Sequence, residues 1–132
     1  MALAHAQLTE KIIAAFFKVY NELGHGYSEK VYCRALAIVL REMGLEVLEE
    51  CEIRVGFHGT CIGVFRADLV VERTVLIEVK AGQHIEDWHI AQILNYLKCA
   101  GGGVGLLVNF GHTLSHKRYA VGDPEISLPH LL

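Results

Sequence analysis

Arg66-Ala67-Asp68-Leu69-Val70-Val71-Glu72-Arg73-Thr74-Val75-Leu76-Ile77-Glu78-Val79-Lys80-Ala81 reads as two apolar strands around a short polar turn. Three charged residues, Asp68, Glu78 and Lys80, stand where such a hairpin should carry only Val, Leu and Ile. Burying charge is costly unless it is paired, hydrogen-bonded or bound to metal. Side chains alternate along a strand, so Glu78 and Lys80 share a face, about 7 Å apart. A turn at Glu72-Arg73-Thr74 brings Asp68 opposite Glu78 or one position from it. Two carboxylates and an amine then converge on one side of a sheet, an arrangement suited to a divalent cation and a phosphodiester.

Outward from this hairpin the chain reads as one domain over residues 1–132, with a core at about 8–111 and an irregular C-terminal tail. Leu8 to Leu23 has the spacing of an amphipathic helix with Thr9 as N-cap and Gly24 as stop. Ser28 caps a second helix to about Met43. The period then shortens. Leu45 to Phe57, Cys61 to Val71 and Val75 to Ala81 form an antiparallel meander. A third helix runs from about Ile85 to Ala100. The apolar run Val104 to Phe110 fits a strand covered on both faces, parallel to the third through the helical crossover. Lys117 to Val121 is expected as a short edge strand. The order α-α-β-β-β-α-β gives an α/β sandwich, a central mixed sheet flanked by helices.

Composition narrows the classes. Apolar residues make up 52% and charged residues 20%, a globular balance. A formal charge of −3 argues against broad, non-specific binding to nucleic acid, though not against a local basic patch. With no apolar run long enough to span a bilayer and no visible signal peptide, the expected location is cytoplasmic, with no membrane partner. Cys33, Cys51, Cys61 and Cys99 form no CxxC pair and are expected as buried, reduced thiols. The eight histidines show no zinc-ligand spacing, although His84 and His89 could face a site.

Three further blocks stand beside the hairpin. Gly26-Tyr27-Ser28-Glu29-Lys30-Val31-Tyr32 places Glu29 in a first helical turn, with Tyr32 three residues on along the same face. Gln92 and Tyr96 lie four apart on the third helix, beside an apolar stripe that Trp88 extends, as a packing anchor in preference to a base-stacking platform. Gly105-Leu106-Leu107-Val108-Asn109-Phe110-Gly111 follows. Together these blocks resemble the GxxExxY protein family, a branch of the PD-(D/E)xK nuclease superfamily. Gly26, Glu29 and Tyr32 match the naming motif, and Asp68 with Glu78-Val79-Lys80 matches the catalytic one. Ala67 stands where a proline often precedes the aspartate, a position that supplies no ligand.

The resemblance implies a restriction-endonuclease-like fold and a metal-dependent phosphodiesterase or nuclease acting on nucleic acid, DNA above all. It implies Glu29, Asp68, Glu78, Lys80 and Gln92 as catalytic residues. Asp68, Glu78, the backbone carbonyl of Val79 and Glu29, directly or through water, would hold Mg²⁺ or Mn²⁺. Tyr32 and Tyr96 would support them from behind. The alternative is a catalytically silent nuclease fold used as a binding or assembly module. A homodimer presenting two sites is also expected.

Overall fold

Ile12, Ala15, Phe16 and Val19 recur at helical spacing and bury one side of α1 (Ala6–Leu23). Tyr32, Leu36, Val39 and Leu40 do the same for α2 (Glu29–Glu42). The computed structural model describes residues 5–122, and the tail expected beyond Gly122 lies outside them. After the two helices come β1 (Val47–Phe57), β2 (Thr60–Val71), β3 (Val75–Lys80), α3 (Asp87–Cys99), β4 (Gly102–Phe110) and β5 (Leu114–Gly122).

The five strands lie side by side in sequence order. β3 and β4 run parallel, and the other neighbours are antiparallel. Every residue of β3 and β4 is buried, because both sheet faces are covered. α1 and α2 close one face, where Phe16, Leu36 and Leu40 meet Leu69, Ile77, Val79 and Val108. α3 closes the other, with Ile93 and Leu97 against Val70, Leu76 and Leu107. Gly105 lets α3 sit close. A Cβ there would come within 3.0 Å of the Ile93 and Leu97 Cδ1 atoms. Among the described residues, no helix is long and apolar enough to cross a membrane.

Several expectations change. Thr9 does not cap α1. The helix starts earlier, and the Thr9 hydroxyl donates to the Ala6 carbonyl from inside its first turns. β5 is longer than the expected edge strand, because it pairs with the whole of β4. Of the four cysteines only Cys51 is buried. Cys61 sits on the exposed half of β2 and Cys99 on the outer side of α3.

The β1–β2 ladder shifts register between Val55 and Gly56, and a second irregularity lies nearer β3. Leu69 and Val71 pack beneath α1 and α2, yet Ala67 packs beneath α3. Two-residue alternation would keep all three on one face. β2 therefore switches faces at Asp68. Opposite it, β1 does the same at Glu50, which has a left-handed backbone (φ 51°). The β1–β2 register steps from Glu49↔Leu69 to Cys51↔Ala67 and leaves Glu50 and Asp68 outside the ladder. Pairing of β2 with β3 runs only from Val71↔Val75 to Leu69↔Ile77. Beyond that point β1 and β2 continue as a two-stranded ribbon, and β2 and β3 form a fork.

Candidate active site

The fork is spanned by carboxylates. Extending the β2–β3 register by one step sets Asp68 opposite Glu78. Side chains here take over the ladder's role. The Asp68 N–H donates to Glu78 Oε1 (3.2 Å), and the Val79 N–H donates to Asp68 Oδ2 (2.7 Å). The two carboxyl groups also hydrogen-bond to each other. The hairpin turn that aligns them has left-handed Glu72 and Arg73 (φ 51° and 56°) and is pinned by an Arg73–Glu46 ion pair (2.8 Å).

Both carboxyls titrate above their ordinary range. Burial is the largest cause for each. The Asp68 charge then pushes Glu78 further up, and Glu29 adds to the shift of Asp68. Lys80 opposes the shift of both without cancelling it. Two acids this close share a proton until positive charge arrives.

Lys80 is 8% exposed. Its Nζ donates to Gln92 Oε1 (3.0 Å), and Gln92 Nε2 donates to the Tyr96 hydroxyl (2.8 Å). The Tyr96 ring stacks on Phe65 of β2, with centroids 3.7 Å apart. Burial, with Glu78 and Asp68 behind it, raises the Tyr96 phenol, so the hydroxyl stays protonated. α3 thus aims the lysine through one amide.

Glu29 arrives from the other layer. The Ser28 hydroxyl caps α2 by accepting the Val31 N–H (3.4 Å), which sets Glu29 in the first turn. Glu29 Oε2 accepts the Ala81 N–H (3.3 Å), one residue past Lys80. Tyr32 is fully buried, stacked on Phe110 at 4.3 Å. Its hydroxyl donates to the Gly24 carbonyl (2.6 Å) and accepts the Tyr27 N–H (3.3 Å). It therefore secures the turn that delivers Glu29 and does not touch the carboxylates. The structure brings Glu29, Asp68, Glu78, Lys80 and Gln92 to one end of β3. Tyr96 stands behind Gln92, and Tyr32 behind the α2 turn.

An open cavity of about 450 Å³ borders this cluster, lined by Glu29, Cys33, Arg34, Glu49 and Asp68 among others. Cys33 was not singled out from the sequence, although it lies one helical turn after Glu29. Burial and the surrounding carboxylates push its thiol far up, so it is a poor nucleophile. Asn109 was also missed. Its Oδ1 accepts the Gly82 N–H (2.9 Å) and its Nδ2 donates to the Gly82 carbonyl (3.1 Å), clasping the loop after Lys80. Trp88 does not serve as the expected packing anchor. α3 buries His89, Ile93 and Leu97, and Trp88 falls off that stripe, 60% exposed. His89 closes the start of α3, its Nδ1 accepting the Glu86 N–H (2.9 Å), and His84 pairs with Glu86 on the surface.

Among the described residues, no three His, Cys, Asp or Glu side chains are drawn together tightly enough to enclose an ion. The donor set nevertheless fits a hard cation. It offers carboxyl oxygens, on buried Glu78 and half-buried Asp68, whose mutual repulsion a dication would offset. Mg²⁺ needs one or two carboxylates and keeps its waters.

A family model described as the PD-(D/E)XK nuclease superfamily matches residues 6–120 of the chain. The crystal structure of SSO0001 is similar, with a TM-score of 0.49 and 20% sequence identity. That match covers 91% of this chain and 59% of the other. No curated protein matches the sequence.

Proposed function

The chain belongs to the PD-(D/E)XK nuclease superfamily, and from that premise we propose that it hydrolyses phosphodiester bonds in nucleic acid, DNA above all, with Mg²⁺ or Mn²⁺. The observation that carries this reading is the β2–β3 fork, where Asp68 and Glu78 replace backbone bonds and face each other beside a buried, oriented lysine. Asp68 and Glu78 would hold the ion, with the Val79 carbonyl as a further ligand and Glu29 bound directly or through water. The ion supplies a more acidic water and neutralises phosphoryl charge. Lys80, aimed by Gln92, meets the non-bridging phosphoryl oxygens or orients the attacking water. Glu29 and the Ala81 N–H fix the far side of the pocket. Two copies would present two such sites.

Purified protein should cleave oligonucleotides only when Mg²⁺ or Mn²⁺ is added. Asp68→Asn and Lys80→Ala should abolish cleavage while the circular dichroism of the fold persists. Wild-type protein inert towards single-stranded, duplex and branched substrates with both ions would overturn the reading.

A further inference from the structure

Trp88 stands in the first turn of α3, 60% exposed, with its ring centroid 5.4 Å from Lys80 Nζ. The His89 ring, itself fixed at the helix start, lies 4.0 Å behind it. Leaving a large aromatic surface in water is unfavourable, and the core offers no reason for it, since α3 already buries Ile93 and Leu97. What the position does offer is proximity. Gln92 holds the lysine from one side, and the indole flanks the same amine. A phosphate drawn to Lys80 brings its own nucleoside within reach of the ring.

We propose that Trp88 is a stacking platform for an unpaired base beside the scissile phosphate, so that the favoured substrate is a strand not engaged in a duplex at that position. This rests on the nuclease reading of the same site. Every base has a π-face, so stacking on an aromatic side chain tolerates any sequence. In a duplex both faces of a base are covered by its neighbours, and the platform gains contact only when the base is free. Trp88 therefore selects substrate form and leaves base identity unread.

The chain contains a single tryptophan, so its emission reports this site alone. With Ca²⁺ in place of Mg²⁺, an unpaired oligonucleotide should quench Trp88 fluorescence, whereas a fully abasic strand of equal length or a blunt duplex should quench it far less. In cleavage, wild-type protein should favour the base-bearing strand over the abasic strand by about tenfold in kcat/KM. Trp88→Ala should bring that ratio close to one, and Trp88→Tyr should restore part of it. Equal quenching by the abasic strand or by the duplex, or an undiminished ratio in Trp88→Ala, would overturn the proposal. Protein that cleaves neither strand, nor any duplex or branched substrate with either ion, refutes the nuclease reading, and the quenching titration, which needs no turnover, still decides the stacking.

Discussion

Gln92 shows how much one amide can govern. Its carbonyl oxygen accepts a hydrogen bond from the Lys80 ammonium and its nitrogen donates to the Tyr96 hydroxyl, so a flipped amide would set N–H against N–H and lose the lysine. Gln92→Leu keeps the approximate volume and removes the aim. The expected result is a fall in kcat of about 10- to 100-fold, the usual scale for a group that orients an active side chain. Single-turnover cleavage measures it, and a melting temperature within a few degrees of wild type separates it from unfolding. Asp68, Glu78 and Lys80 were legible in the sequence because charge inside an apolar run is conspicuous. Asn109 was not, since one amide in a strand end resembles any other. The exposure of Trp88 was hidden as well, because apolar spacing on a short helix does not say where the stripe ends.

At the scale of elements, the joint between β4 and the loop after β3 holds the site together. Asn109 clasps both the N–H and the carbonyl of Gly82, and the neighbouring Ala81 N–H anchors Glu29. Gly111 makes room for this clasp, since a Cβ there would lie 2.5 Å from the Gly82 oxygen. Gly111→Ala should therefore destabilise the fold by about 1–3 kcal/mol. Urea unfolding reads this as a lower midpoint with an unchanged slope, and an unshifted midpoint would contradict it. Period and turn residues made most elements legible, including the parallel β3–β4 pair. The face switch at Glu50 and Asp68 was not. Val47, Cys51 and Ile53 all fall on odd positions, with Glu49 between the first two, yet Val47 packs beneath α1 and α2 while the other two pack beneath α3. The flip falls at Glu49-Glu50, where the left-handed backbone of Glu50 absorbs the change, and a charged pair in a strand does not by itself announce a change of face.

At the scale of the molecule, the Asp68–Glu78 pair links stability to pH. Glu78 is raised from 4.5 to about 9 by burial and by Asp68. A carboxyl that binds its proton more tightly when folded gives the native state more protons than the unfolded state across that interval, so stability falls as pH rises through it. In chelator, the melting temperature should decline from about pH 5 to about pH 9. Glu78→Gln should flatten the decline. Mn²⁺ should raise the melting temperature most at the alkaline end, where binding no longer has to displace a proton. Scanning calorimetry at three pH values tests all of this, and a flat profile for the metal-free wild type would refute it. The fork has a mechanical consequence too. Past Asp68 the β1–β2 ribbon is a cantilever clamped at its root, and Phe65 near that root leans on Tyr96. A load that bends the ribbon tip passes to α3 through that ring stack and through Cys51, Ile53 and Ala67, which pack on Ile93 and Leu97, so the periphery is geared to the helix that steers Lys80.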